Sequence, residues 1–394
     1  MTIVLAGGGS GGHITPILAV AAELKHLSPS TKIIYIGQKG DDLGQLPAKD
    51  PNIDEVYEIY AGKFRRFHGE GFKQFLDIPT FMKNTRDFFY VFLGTIQSRK
   101  LMKQLSPDIL FTRGGYVSVP AAFGARMNGV AYITHDSDPI PSLANRIIAR
   151  WASFHAVALP KEIYPYPANK TITTGIPVSS HFVSLNKSLI KQYRRSINVP
   201  EEAKLLFIIG GGLGSQTVNK AIVSVVPHLI REFPDLYVMH GTGKVNEASV
   251  KEAYLSQLSE SEQARVKAFG YLDDVFRYSG AADLIITRAG ATNLAEFAIQ
   301  GKACIVIPSS FLTGGHQLKS ADYLVEQAAA VVVNEADLKI DANKLARQIS
   351  SLLHDPSECH RLGANLSKLA KPNATNELAN LILDVGAKNE IEKV

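Results

Sequence analysis

Short apolar runs alternate with longer stretches of helical spacing along the whole chain. In the first half the strand candidates are Ile3–Ala6, Ile33–Ile36, Val56–Tyr60, Ile109–Thr112, Tyr132–His135, Ala156–Leu159 and Thr171–Thr174. In the second half they are Leu205–Ile209, Tyr237–His240, Val266–Phe269, Leu284–Thr287, Ala303–Ile307 and Ala330–Val333. Helical patterns between the runs predict βαβ units and parallel sheets covered on both faces. The fold class expected is α/β, as two doubly wound, Rossmann-like domains, whose ligands bind beyond the carboxyl ends of the strands. Each half opens alike, with a strand, a glycine-rich turn and a helix. TIVLA runs into Gly7-Gly8-Gly9-Ser10-Gly11-Gly12, and LLFII into Gly210-Gly211-Gly212-Leu213-Gly214-Ser215. The expected boundaries are 1–178 for the first domain and 203–372 for the second. Residues 179–202 form a linker with a flanking helix, and 373–394 a C-terminal helix returning towards the first domain.

Composition narrows the class. Of 394 residues 45% are hydrophobic and 20% charged, enough apolar matter for two cores and too much for disorder. Lys and Arg number 42 against 37 acids, and a net charge of +5 is too weak to indicate nucleic acid. Two cysteines, Cys304 and Cys359, make neither a disulfide framework nor a metal-ligand pattern, which suits a reducing compartment. The opening TIVLAGGG shows no signal-peptide pattern. The longest charge-free aromatic stretch, Phe88 to Ser98, is 11 residues, short of the roughly 20 that a membrane-spanning helix needs.

The charge is unevenly placed. Residues 61–104 carry nine cations against three acids, a net +6, which leaves the remainder of the chain at −1. The same segment holds eight of the 18 phenylalanines. Basic residues beside an anionic leaflet contribute about 1 kcal/mol each, and interleaved aromatics bury at the headgroup boundary. The segment therefore reads as a membrane-docking face. Phe89, Phe92, Leu93 and Ile96 have helical spacing and are expected in the core. The docking surface is accordingly placed on Phe64, Arg65, Arg66, Phe67, Phe72 and Lys73.

The glycine turns carry the candidate chemistry. Gly7, Gly9 and Gly12 satisfy G-x-G-x-x-G, but the second strand ends at Gln38 where a dinucleotide site wants a carboxylate. Walker A spacing fails too, with His13 and Ile14 in place of Lys and Ser/Thr. What survives is the backbone physics: glycines let main-chain N–H groups approach an anion at a helix N-terminus. His13, at the start of that helix, is either a cap or a general base kept neutral by the helix N-terminus. Asp136-Ser137-Asp138 is a literal D-x-D, and helix-entry capping explains it without a metal. Glu296, within Thr287–Glu296 after the strand DLIIT, either complements the helix dipole or accepts two hydrogen bonds from a ribose diol. Gly314-Gly315-His316-Gln317 lies at another strand's carboxyl end and suits sugar hydroxyls.

In this order GGGSGGHITPILA, TRGGYVSVPAA, HDSDPIPSLANRIIA, GGGLGS, HGTGK, GYLDD, ADLIITRAGATNLAE and GGHQLKSA resemble the MurG family. These transferases add N-acetylglucosamine to the lipid-linked muramyl-pentapeptide precursor of peptidoglycan. The resemblance spans about residues 1 to 385 and implies the GT-B fold, two Rossmann-like domains facing across a cleft. It implies an inverting transfer from UDP-N-acetylglucosamine to undecaprenyl-linked muramyl-pentapeptide, without metal or cofactor. The enzyme would sit peripherally on an anionic membrane surface at the cytoplasmic face of the cell membrane, serving cell-wall biogenesis and, through it, cell shape and division. Residue by residue, it places Ser10, Gly11 and Gly12 near donor sugar and acceptor, and His13 as the base. Tyr271 lies against uracil and Leu272 reads its edge. Ala291, Thr292, Asn293, Leu294, Ala295 and Glu296 take ribose and phosphate, with Glu296 on the ribose hydroxyls. His316, Gln317 and Asp138 face the N-acetylglucosamine. Two positions depart from the family: Gly212 stands where a phosphate-binding serine is usual, and Ser179 where an arginine follows G-x-P-V. Amides of Gly212, Leu213, Gly214 and Ser215 remain to bind pyrophosphate. The departures keep three alternatives open: a related GT-B enzyme with another donor or lipid acceptor, a same-fold UDP-sugar epimerase, and a catalytically weakened membrane-associated scaffold.

Overall fold

The computed structural model describes residues 1–8, 11–41, 44–63, 78–309, 315–341 and 343–392. The chain divides into two compact units, Met1–Ser179 with Lys371–Val394, and Ser180–Ala370. All thirteen strand candidates are strands, three with the expected bounds and the rest shifted at an end by a residue or two.

The first unit is built on β1 (Thr2–Ala6), β2 (Lys32–Gln38), β3 (Glu55–Ile59), β4 (Ile109–Thr112), β5 (Ala131–Asp136), β6 (Phe154–Val157) and β7 (Thr171–Thr173). They form one parallel sheet in the order β3-β2-β1-β4-β5-β6-β7. Its helices are α1 (Gly11–Leu27), α2 (Gln45–Lys49), α3 (Ile78–Leu105), α4 (Ser118–Met127) and α5 (Leu143–Ile148). The central strands β1 and β4 are apolar on both sides because both faces are covered. Ile3, Leu5, Ile33 and Phe111 pack on one face, and Val4, Ile34, Leu110 and Tyr132 on the other.

The second unit contains α6 (Lys187–Ser196), β8 (Lys204–Ile209), α7 (Gln216–Glu232), β9 (Leu236–Gly241), α8 (Glu247–Gln257), α9 (Glu260–Gln263), β10 (Val266–Phe269), α10 (Val275–Ala281), β11 (Leu284–Thr287), α11 (Ala291–Gln300), β12 (Cys304–Val306), α12 (His316–Glu326), β13 (Val331–Val332), α13 (Glu335–Ile340), α14 (Asn343–His354) and α15 (Pro356–Ser367). Its parallel sheet runs β10-β9-β8-β11-β12-β13. Helix α6 is tied to this unit by Arg194, whose guanidinium forks onto both carboxylate oxygens of Asp283 at 2.7 and 2.8 Å. The final helix, α16 (Ala374–Glu392), belongs to the first unit, where Leu378, Ala379 and Ile382 complete one face of the core.

One expectation is overturned. Phe89, Phe92, Leu93 and Ile96 are not core: they are 41–60% exposed, and Phe81, Met82 and Phe88 nearby are 56–67% exposed. The buried face of α3 is the other one, bearing Thr80, Asp87, Gly94, Ser98 and Met102. Small residues are required there because the helix approaches its neighbours closely. A Cβ on Gly94 would run into the Tyr60 carbonyl, and one on Gly124 of α4 into Ser98. The helical period was real, but the large side chains mark the outward stripe.

Candidate functional site

In each sheet the order reverses beside the unit's first strand. The loops after β8 and β11 leave neighbouring strand ends in register at Ile209 and Thr287, and those after β1 and β4 at Ala6 and Thr112. Such switch points form the ligand crevices of doubly wound sheets.

In the second unit the glycine loop after β8 interlocks with the loop after β9. Gly214 and Gly243 have φ of +74° and +84°, and a Cβ on either would strike the opposing backbone, at the Thr242 and Leu213 carbonyls respectively. Ser215 caps α7, its hydroxyl accepting from the Val218 amide at 3.4 Å. Behind the loop Asn219 donates to the Thr242 carbonyl at 2.8 Å. Its Oδ1 faces His240 Nε2 at 3.1 Å, and His240 Nδ1 faces the Tyr254 hydroxyl at 2.9 Å. Burial pushes His240 down to about 3, so this imidazole is a neutral strut. Gly212 and Leu213 stand exposed at the crest, with a 17-residue helix behind them. Backbone amides at such a helix start favour an anion.

Beside this loop, Gly290 precedes α11. Thr292 and Leu294 turn inward, Leu294 into the core, whereas Ala291, Asn293, Ala295 and Glu296 stay partly open. The Glu296 carboxyl has no hydrogen-bond or ion-pair partner among the described residues, and burial pushes it up to about 8. Gln317 is buried, with Oε1 accepting from the Ser309 amide at 2.8 Å and its amide nitrogen left to donate. His316 opens α12, but its side chain lies outside the described residues. Tyr271 is half-buried after β10, with Lys244 Nζ 5.3 Å from its ring centroid. Leu272 also lies half-buried, its Cδ1 turned towards Gly241. Sequence reading missed Lys244 and missed the pairing of Arg288 with Glu335 at 2.9 Å. The motifs TRAG and HGTGK contained both cations, but only the fold shows what each faces.

In the first unit Ser10 lies outside the described residues, as do Phe64, Arg65, Arg66, Phe67, Phe72 and Lys73. Gly11, Gly12 and His13 form the first turn of α1, and nothing further is described of their side chains. Tyr35 donates to the Gly7 carbonyl at 2.7 Å. Asp136 is buried and engaged: it accepts from the Ser142 amide at 3.1 Å and the Tyr166 hydroxyl at 2.7 Å. The cap of α5 is Ser142 rather than either aspartate, accepting from the Asn145 amide at 3.1 Å. Asp138 is partly exposed. Arg113, another residue sequence reading missed, is buried beneath this turn, donating to Ser137 and, at 3.3 Å, to His135 Nδ1. Burial lowers it to about 10 against the pull of Asp138 and Asp136, so it remains charged. Burial and Arg113 push His135 down to about 3. Its Nε2 can therefore donate to the Gly175 carbonyl at 2.8 Å while Nδ1 accepts. Ser179, partly buried, ends the unit's first segment.

Both units have known counterparts. Residues 3–156 match the glycosyltransferase family 28 N-terminal domain and residues 205–378 the family 28 C-terminal domain. A protein of Natranaerobius thermophilus named UDP-N-acetylglucosamine–N-acetylmuramyl-(pentapeptide) pyrophosphoryl-undecaprenol N-acetylglucosamine transferase is 31% identical, across 97% of this chain and 99% of its own. Its namesake from Citrifermentans bemidjiense is 30% identical over 97% and 99%. Among solved structures, Acinetobacter baumannii MurG superposes with a TM-score of 0.68 at 22% identity, over 97% of this chain and 99% of that one. The UDP-GlcNAc 2-epimerase of Neisseria meningitidis, bound to UDP-GlcNAc, gives 0.64 at 12% identity, over 98% and 100%. The crystal structures establish the GT-B fold; the family match and the full-length relatives establish that this chain belongs to the MurG family of N-acetylglucosaminyltransferases.

Proposed function

We propose that the protein transfers N-acetylglucosamine from UDP-N-acetylglucosamine to the muramyl sugar of undecaprenyl-pyrophosphate-linked muramyl-pentapeptide, with inversion. The observation that carries this reading is Glu296, a desolvated carboxyl with no partner among the described residues, on the helix that starts beside the glycine loop after β8. A nucleotide's ribose diol and pyrophosphate fit that pair of features. The transferase names of the full-length relatives supply the two substrates, whereas the likeness to an epimerase is one of fold at 12% identity.

Tyr271 and Leu272 take the uracil and Glu296 the ribose. Amides of Gly212 to Ser215 and Ala291 to Ala295 take the pyrophosphate, and His316, Gln317 and Asp138 the sugar. The acceptor, beside Ser10, Gly11 and Gly12, gives its hydroxyl proton to His13. Its oxygen bonds to the anomeric carbon, and the bond from that carbon to the β-phosphate oxygen breaks, the electron pair leaving on UDP. Preorganised amides and helix N-termini stabilise that charge.

Among the described residues no helix is long and apolar enough to cross a membrane. The lipid acceptor is met instead at an anionic surface on the cytoplasmic face, with α3 as the docking element. Its outward Phe81, Met82, Phe88, Phe89, Phe92, Leu93 and Ile96 are flanked by Lys83, Arg99, Lys100 and Lys103. In this placement the enzyme serves cell-wall synthesis and thereby cell shape and division.

Two variants test the chemistry. Glu296→Ala is expected to raise the KM for UDP-N-acetylglucosamine and leave the acceptor's unchanged, because each lost bond to a charged acceptor costs about 1.5–3 kcal/mol. His13→Ala is expected to lower kcat by roughly 10²–10⁴-fold with UDP affinity retained. Epimerised donor in the absence of acceptor, or no UDP release when the lipid is added, would overturn the assignment.

A further inference from the structure

The nucleotide subsite just proposed must hold a pyrophosphate, yet its loops carry little positive charge. Gly212 and Leu213 bring none, Ser215 is engaged as a helix cap, and Arg288 is held by the buried Glu335. Lys244 is differently placed. Its neighbour Gly243 packs directly on Leu213 and Gly214 of the glycine loop. On its other side, a Cβ built on Gly270 would lie 3.2 Å from Lys244 Cα, and Gly270 precedes Tyr271. The backbone thus fixes this lysine between the loop assigned to phosphate and the ring assigned to uracil. Its side chain is exposed, with the ammonium over the Tyr271 ring. Among the described residues no carboxylate reaches it to form an ion pair; the nearby Glu247 pairs with Lys251 at 2.7 Å.

We propose that Lys244 is the cation of the donor's pyrophosphate. In the empty site it rests on the Tyr271 face by a cation–π contact. When a uracil takes that face, the flexible four-carbon stem carries the ammonium to the diphosphate, where it offsets the charge that collects on UDP as the sugar leaves. The ligand class is a nucleoside diphosphate, and the contact is to phosphate rather than base. The inference rests on the reading of Tyr271 as the uracil platform.

The test is calorimetric titration of the full-length protein, wild type, Lys244→Met and Lys244→Arg, with UDP and with uridine at low and high salt. Uridine, which displaces the ammonium from the Tyr271 face without offering it a phosphate, is expected to bind Lys244→Met at least as well as wild type. UDP is expected to bind Lys244→Met roughly ten- to hundredfold more weakly, with much of the loss restored in Lys244→Arg and a shallower salt dependence in Lys244→Met. The kcat of Lys244→Met should fall as well, because the phosphate charge is greatest as UDP departs. Equal losses for uridine and UDP would put Lys244 on the base, and no loss for either would leave it a surface cation; both overturn the proposal. A wild type that binds neither ligand would overturn the nucleotide assignment itself, and this proposal with it.

Discussion

Glu296 has an ionisation opposed by its surroundings, and a nucleotide would reverse that. Desolvation alone holds the carboxyl up to about 8, far above the value it has in an unfolded chain. A raised acid is stabilising when protonated, so its contribution to the fold is complete below the unfolded pKa and is lost as pH rises through about 8. Ribose hydroxyls donate to the ionised form and pull the pKa down in the complex. UDP should therefore bind more tightly as pH climbs towards 8, releasing a proton, and level off above it. Titrations in buffers of different ionisation enthalpy read that proton directly. Glu296→Gln should bind UDP with no such slope; a slope that persists in the variant would assign the proton elsewhere. The carboxylate itself stands out in the sequence as an acid in the first turns of a helix after a strand. Its perturbed ionisation does not, because desolvation comes from neighbours that only the fold assembles.

Helix α3 shows how an element can be recognised while its orientation is not. Phe89, Phe92, Leu93 and Ile96 repeat with helical period, and a large apolar stripe normally faces inward. Here the inward face is chosen by close approach: Gly94 against Tyr60, and Ser98 against Gly124. Those contacts join three separate segments, and no local pattern announces them. The central strands, by contrast, were legible because burial on both faces writes itself into runs of consecutive apolar residues, as in β1, β4, β8 and β11. The buried cations were illegible for the same reason as the α3 contacts. Arg113 meets His135, and Arg288 meets Glu335, across intervals in which the chain crosses its sheet. The two faces of α3 predict opposite outcomes. Gly94→Leu should destabilise the fold by about 1–3 kcal/mol through overpacking. Phe89→Ser with Phe92→Ser, on the exposed stripe, should leave the melting temperature nearly unchanged yet weaken co-sedimentation with anionic vesicles. Undiminished vesicle binding by the folded double variant would remove α3 as the docking element.

The first unit is assembled from two segments of the chain, Met1–Ser179 and Lys371–Val394. Its sheet is complete by Thr173, but one face of that sheet still needs α16, which begins only at Ala374. Leu378 and Ile382 are fully buried there among Ile3, Leu5, Ile33 and Ile109. Thr375 and Val178 exchange hydrogen bonds at 2.8 and 2.9 Å, and Asn389 donates to the Asp108 carbonyl at 2.7 Å. The second unit is therefore an insertion within the first, and the returning helix completes the core beneath β1, whose carboxyl end carries the glycine turn to His13. Leu378→Ala and Ile382→Ala should each cost about 2–5 kcal/mol, the lost transfer energy plus a cavity. The loss should be local. Amide hydrogen exchange should accelerate in β1, β2 and β4, while β8, β9 and β11 keep their protection and UDP affinity is preserved. Turnover should fall with the first unit's stability, since His13 stands on the helix that leaves β1. If exchange rose equally in β8 and β11, the two units would not be separate folding units, and α16 would be holding the entire chain.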